Sequence, residues 1–295
     1  MAAAVPMKSP LDYMFHAATA ALLAGKPVME EFERRPKKCA AVAKENTYSV
    51  QNPADVRSSE IINEYLSKHC PETGFLDEER GRTGNKDLLW IVDPIDGSAN
   101  FAMRHSDFGI SVALAHRGNV IASAIYLPAK NKLYFASKGG GTCLVDHLSV
   151  TGPHKWKPLH EWKDKERLFA GGRKVSVAPK ERDRGKMMIS TGFSHDAGLR
   201  RRAIEQIYSK HLTQVRDIVQ PSSAVIGLTD VAEGTRHAYV HEGLKPWDVA
   251  AGVLLVEEAG GKVFNWDGTK WRLPLEDKWH PIVATNGEFP LDRRK

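Results

Sequence analysis

Long apolar runs are absent from this 295-residue chain. No stretch approaches the roughly 18 to 20 apolar residues that a membrane helix needs, so no membrane partner is expected. Cysteine is scarce: Cys39, Cys70 and Cys143 are widely spaced, and no Cys-x-x-Cys pair occurs. A zinc knuckle and a disulfide framework are thereby excluded as organising devices. The 12 histidines are read as ordinary surface and core residues, so a soft-metal site is not expected. Internal repeats and low-complexity tracts are missing too. The start, Met1 to Lys8, shows no charged region followed by an apolar core, which leads to the expectation of a cytoplasmic protein.

Charge of one sign does not dominate either. Lys and Arg number 42 against 36 Asp and Glu, giving a net charge of +6. That mild basicity favours small anionic ligands such as phosphate esters. The clusters Arg200-Arg201-Arg202 and Arg293-Arg294-Lys295 are short and are read as solvated faces or tails, so nucleic acid is not the expected partner. Hydrophobic content of 42% and charged content of 26% are ordinary for a globular chain.

What is present is an alternation of helical and strand-like patterns. Leu11, Met14, Phe15, Ala18 and Leu22 recur at helical spacing, with Pro27 expected to kink that helix or separate it from Val28, Met29 and Phe32. A second helix is expected from Asp55 to Leu66, then a polar segment over Pro71 to Asp87. Strands are expected at Leu88–Val92, Phe108–Ala115, Val120–Leu127 and Lys132–Ser137, with Gly139-Gly140-Gly141 closing this first half. The segment from Asp146 to Lys186 is rich in Lys, Arg, Trp and Pro and is read as a long basic flap. Beyond it come a strand at Met187–Ser190, helices at Leu199–His211 and Ser222–Val231, and a strand at Ala238–Val240. The helix Trp247–Ala259 follows, stopped by Gly260-Gly261, with strands at Lys262–Trp266 and Pro281–Ala284. The expectation is one domain: an N-terminal half of about 1–145, the flap over about 146–186, and a C-terminal half of about 187–295. The class is layered α/β or α+β.

The segment with the most chemistry is Trp90-Ile91-Val92-Asp93-Pro94-Ile95-Asp96-Gly97-Ser98. A strand buried on both faces runs into two carboxylates, a proline that ends its pairing, a glycine and a hydroxyl. Asp93 and Asp96 can offer two anionic oxygens to one small volume. Gly97 permits close backbone approach, and Ser98 can open a helix whose N–H groups face an anion. The same residues also suit an ordinary turn with a helix cap. Two further acid sites bear on the choice: Asp77-Glu78-Glu79 just upstream, and Asp248 at the start of the late helix.

Taken together these motifs resemble one family. Asp93-Pro94-Ile95-Asp96-Gly97-Ser98-Ala99-Asn100-Phe101 is similar to the Asp-Pro-Ile-Asp-Gly-Thr-x-Asn-Phe signature of inositol monophosphatases. Trp247-Asp248-Val249-Ala250-Ala251-Gly252, followed by Glu257-Glu258-Ala259-Gly260-Gly261, looks like the family's C-terminal signature, and Leu76-Asp77-Glu78-Glu79 sits where the family places Gly-Glu-Glu. The resemblance spans about Lys44 to Asn286. It implies an αβαβα sandwich of the inositol monophosphatase and fructose-1,6-bisphosphatase type, and a Mg²⁺-dependent, lithium-sensitive phosphomonoesterase, commonly a homodimer.

In that pattern Glu78, Asp93 and the carbonyl of Ile95 hold a first Mg²⁺, Asp93, Asp96 and Asp248 a second, and a looser third ion shares Glu78. Gly97, Ser98 and Ala99 receive the phosphate. Ser98, standing where Thr is usual, passes a proton toward Asp55; Glu78, Ser98 and Asp55 are thus the implied catalytic residues. Ser222-Ser223-Ala224 occupies the place of Gly-Thr-Ala beside the sugar. In many relatives an acid seven positions before the tryptophan-linked aspartate contacts substrate hydroxyls; here His241 stands there, followed by Glu242. The implied substrate is a small phosphorylated polyol, with myo-inositol monophosphate the default. Histidinol phosphate and fructose bisphosphate stay open, as does a regulatory, RNA-associated role; a 3′-phosphonucleotide is disfavoured, because Ala99-Asn100-Phe101 stands where those relatives carry Lys-Glu-Phe.

Overall fold

The computed structural model describes residues 7–34, 42–43, 50–146, 172–181, 183–194, 196–205, 209 and 214–287. Helix α1, Pro10–Glu33, starts on a capping box: Ser9 Oγ accepts from the Asp12 N–H at 3.1 Å, and Asp12 Oδ2 accepts from the Ser9 N–H. It runs unbroken through Pro27, so of the two expectations there, a kink or a separation, the separation does not occur. Proline removes one backbone donor there, but Val28 is fully buried and continues the apolar face against the sheet. Tertiary burial outweighs the local cost. Helix α2, Pro53–His69, begins two residues earlier than expected, capped by Asn52 with Pro53 in the first turn.

Between the short pair β1 (Val42–Ala43) and β2 (Val50–Gln51) and the end of the first half lies the large sheet. Its strands are β3 (Gly74–Asp77), β4 (Gly81–Thr83), β5 (Leu88–Asp96), β6 (Gly109–His116), β7 (Asn119–Leu127), β8 (Lys132–Ser137), β9 (Gly141–Asp146) and β10 (Arg173–Lys174). They lie in the order β10-β9-β8-β7-β6-β5-β3-β4. Strands β3 and β5 are parallel, and the other neighbours are antiparallel. Strands β3 and β4 correct the expectation of a plain polar segment at 71–87. They are too short to show a period, and β4 is an exposed edge. Strand β9 extends the sheet beyond the glycine turn expected to close this half, starting at the last of the three glycines. Most of the expected flap, 147–171 and 182, lies outside the described residues, but its far end returns as β10 to pair with β9.

The small sheet holds β11 (Met188–Thr191), β12 (Asp217–Val219), β13 (Ala238–Leu244), β14 (Lys262–Phe264) and β15 (His280–Thr285) in the order β12-β11-β13-β15-β14. Alternation along the strands sets the layers. On β5, Leu88, Trp90 and Val92 join the core beneath α1 and α2, whereas Leu89 and Ile91 face the opposite core. On β15, Ile282 and Ala284 face inward and Val283 outward.

Helices α3 (Ser98–Ala102), α4 (Ala197–Ala203), α5 (Ala224–Ala232) and α6 (Pro246–Glu258) complete the described set. The expected helix at Leu199–His211 is seen as α4, and residues 206–208 and 210–213 lie outside the described residues. Helices α5 and α6 lie between the two sheets. This is why α6 is apolar around most of its circumference rather than along one stripe. The layers are thus α1/α2, large sheet, α5/α6, small sheet, α4: the αβαβα sandwich. Among the described residues Cys70 and Cys143 are free thiols, and no helix is long and apolar enough to cross a membrane.

The two middle helices approach closely at Gly252, where an added Cβ would stand 2.5 Å from Leu228 Cδ1. Gly252→Val should overpack this layer and lower stability by about 1–3 kcal/mol. Urea unfolding checks this; an unchanged midpoint would show that the helices can part without cost.

Candidate active site

Strand β5 delivers two acids to one place. Its pairing with β6 holds to Asp93↔Ser111, slips, and resumes at Asp96↔Gly109. The strand therefore passes Pro94 instead of stopping at Val92, and the slip is a local break in the ladder that re-aims the side chains. Asp93 Oδ1 accepts the Ile95 N–H at 3.0 Å, a tight turn made by the carboxylate itself. Asp96 reaches the start of α5, where it accepts from Ser223 Oγ and from the N–H groups of Ala224 (3.3 Å) and Val225 (3.1 Å). Asp248 is the third residue of α6 and accepts the Lys245 N–H at 2.7 Å. Asp93, Asp96 and Asp248 each place a carboxylate oxygen within 4.8 Å of the others.

Asp93 and Asp96 are buried and Asp248 is partly buried. Burial first, then the charges of Glu78, Asp96, Asp248 and Asp55, holds the Asp93 carboxyl well above the usual carboxylate range. Asp248 is raised by burial, then by Asp96 and Glu78. Burial lifts Asp96 to about 6 against the opposing bonds from Ser223, Val225 and Ala224. Glu78 follows β3, whose parallel register sets Asp77 beside Val92, and its N–H donates to the Val92 carbonyl at 3.2 Å. Its charge therefore bears on both Asp93 and Asp248.

The hydroxyl of Ser98 donates to the Ile95 carbonyl at 2.9 Å and lies 3.4 Å from Asp55 Oδ1. Asp55 also closes the α2 capping box, accepting the Asn52 N–H at 2.9 Å. Gly97 has φ +84°, and an added Cβ would stand 2.9 Å from the Asp107 carbonyl, so both conformation and space require glycine. Ala99 sits in the first turn of α3, whose leading N–H groups have no helical acceptor. Ser222 has φ +55°, the left-handed region, at the position where the family pattern has glycine. Ser223 caps α5.

His241 is buried on β13, its ring above Gly192, and its Nδ1 accepts the Gly243 N–H at 3.1 Å. His237 and His241 share a four-residue spacing that would pair ligands on a helix. On extended backbone it separates them by about 13 Å, and His237 Nδ1 accepts the Met188 N–H instead. Of the site residues expected from the sequence, Asp93, Asp96 and Asp248 form the cluster, Glu78 lies outside that 4.8 Å group and bears on it by charge, and Ser98 joins Asp55; His241 meets Gly192, Gly243 and the Tyr239 ring. Sequence reasoning missed Tyr239, Asn100 and Ser58. Tyr239 stands two residues before His241, its hydroxyl held protonated by burial and then by the charges of Asp96 and Asp248. The Asn100 amide donates to the carbonyls of Asp107 (2.6 Å) and Pro221 (2.9 Å), tying α3 to the turn before α5. Ser58 Oγ donates to the Pro94 carbonyl at 2.9 Å. The signature Asn-Phe could have marked Asn100; Tyr239 and Ser58 leave no local signal.

The family model of the inositol monophosphatase family matches residues 11–290. The chain belongs to the inositol monophosphatase family. It is 32% identical over 252 residues to an inositol-1-monophosphatase of Mesorhizobium japonicum, covering 84% of each chain. To a Nus factor SuhB of Xylella fastidiosa it is 33% identical over 214 residues, 72% of this chain and 68% of the relative. The solved structure of an inositol monophosphatase from Anabaena superposes with a TM-score of 0.71 at 28% identity, covering 94% of this chain and 91% of that one. As an inositol monophosphatase-family protein the chain is a phosphomonoesterase, of a family whose phosphatases depend on metal.

The donor set fits a hard divalent cation: clustered carboxylate oxygens, buried and mutually repelling. Raised acids bind protons more tightly folded than unfolded, so below about pH 4 this cluster costs nothing. The cost grows as pH rises through about 6, the value at Asp96. A cation should relieve it. Saturating Mg²⁺ is therefore expected to raise the melting temperature of chelator-treated protein more at about pH 7.5 than at about pH 5. Calorimetry at the two values checks this, and equal gains would contradict it.

Proposed function

We propose that the protein is a Mg²⁺-dependent phosphomonoesterase acting on a small phosphorylated polyol, with myo-inositol monophosphate as the default substrate. The observation that carries the reading is the trio Asp93, Asp96 and Asp248, whose carboxylates lie within 4.8 Å of one another and repel. Glu78, Asp93 and the Ile95 carbonyl would hold one ion, Asp93, Asp96 and Asp248 a second, with a third sharing Glu78. Divalent cations there supply Lewis acidity, acidifying water and neutralising the charge that builds on the leaving oxygen.

The residues of the chain do the rest. The N–H groups of Gly97, Ser98 and Ala99 face the phosphate at the start of α3. The Ser98 hydroxyl, within reach of Asp55, moves a proton from attacking water toward that carboxylate. Ser222 and Ser223 line the sugar side. With Nδ1 accepting from Gly243, a neutral His241 carries its proton on Nε2 and acts as a donor toward the alcohol. A carboxylate at that place would instead accept from substrate hydroxyls, so His241 is the group that can shift preference toward histidinol phosphate, fructose bisphosphate or a 3′-phosphonucleotide. Lithium sensitivity, a homodimeric state and a cytoplasmic setting without nucleic-acid or membrane partners belong to the same reading.

A second reading is a regulatory, RNA-associated protein that keeps the fold without the activity; the likeness to a protein named Nus factor SuhB favours it. One experiment separates the two. Phosphate release from a panel of phosphate esters, with Mg²⁺ and with or without lithium, should favour inositol monophosphate and fall at least 100-fold in Asp96→Asn. Activity that survives Asp96→Asn would overturn the metal mechanism. Salt-dependent RNA binding indifferent to Asp96→Asn would support the second reading.

A further inference from the structure

Glu78 has no helix or long strand to aim it. It sits in the turn between β3 and β4, one residue beyond a four-residue strand, and both strands are too short to hold a turn by ladder bonds alone. Asp77, immediately before it, is fully buried and accepts four hydrogen bonds. Its Oδ1 takes the N–H groups of Glu79 (2.8 Å) and Arg80 (3.1 Å), closing the turn on the far side of Glu78. Its Oδ2 takes Ser59 Oγ (2.9 Å) and Asn63 Nδ2 (2.7 Å), both on α2. The Glu78 N–H is itself fixed on the Val92 carbonyl.

The same helix reaches the site twice more: Asp55 meets Ser98, and Ser58 holds the Pro94 carbonyl. One polar stripe of α2, residues 55, 58, 59 and 63, therefore fixes the phosphate turn, the strand slip and the Glu78 turn against a single rigid element. Asp77 is not itself a cation ligand, because its two oxygens already take four donors. It is also an acid where the family pattern places glycine, which has no side chain to make these bonds.

We propose that Asp77 is the positioning residue of Glu78: its carboxylate ties the Glu78 turn to Ser59 and Asn63 of α2 and so aims Glu78 at the Asp93–Asp248 cluster. This rests on the Mg²⁺ reading given above. Loss of such supporting bonds weakens metal binding by about 10- to 100-fold in comparable sites.

The test is Mg²⁺ binding by isothermal titration calorimetry to the full chain without substrate. Asp77→Ala should raise the dissociation constant about tenfold. Asp77→Asn keeps an acceptor for the Glu79 and Arg80 N–H groups but turns an amide donor toward Ser59 and Asn63, so its affinity should fall between those of Asp77→Ala and the unaltered protein. Should Asp77→Ala fail to fold, the double variant Ser59→Ala/Asn63→Ala frees Oδ2 alone and should still weaken binding several-fold while melting cooperatively. A folded Asp77→Ala with unchanged affinity and only a lower melting temperature would overturn the proposal, leaving Asp77 a structural buttress. A folded Ser59→Ala/Asn63→Ala variant that binds Mg²⁺ as tightly as the unaltered protein would overturn it too. Absence of Mg²⁺ binding to the unaltered protein would overturn the metal reading, and this inference with it.

Discussion

Repulsion among buried carboxylates is the constraint around which this structure is arranged. Asp93, Asp96 and Asp248 lie within 4.8 Å of one another; burial pushes each above its ordinary range, and neighbouring acids push Asp93 and Asp248 further. Left to itself such a cluster would open toward water. It is held because the acids come from two separately anchored elements: the slipped end of β5 for Asp93 and Asp96, and the first turn of α6 for Asp248. Helix α6 is clasped between two sheets and cannot retreat. The five-layer sandwich is what makes the crowding possible.

Each of these acids also carries a local structural duty. Asp96 takes the leading N–H groups of α5, Asp248 closes the box at the start of α6, Asp55 does the same for α2, and Asp93 turns the backbone onto Ile95. Capping and chemistry are therefore not competing explanations of the Asp-Pro-Ile-Asp turn. The caps orient the acids, and their helices are fixed by burial, so the carboxylates arrive with little freedom left to lose. Helix α2 extends this logic through Ser58, Ser59 and Asn63 to the turn that bears Glu78.

Much of this was legible in the chain. Strands β5 to β8 and helix α6 stand close to where period and turn residues put them, because each is long enough to show its pattern. The ordered motifs around Glu78, Asp93 and Asp248 named the family and, through it, the layers. What stayed hidden was short or tertiary. Strands β3, β4 and β10 have no readable period, and Pro27 reads as a break until α1 is seen lying on the sheet. Tyr239 reaches the cluster only because β13 is threaded beside α5, and Asp77 looked like one more acid in an acidic run until Ser59 and Asn63 were found facing it.

Anomalous diffraction from crystals grown with Mn²⁺ in place of Mg²⁺ tests the central claim most directly. The account predicts a peak bounded by the carboxylates of Asp93, Asp96 and Asp248, lost in Asp96→Asn. Crystals of active protein with no peak between those three residues, at a Mn²⁺ concentration that supports phosphate release, would contradict it.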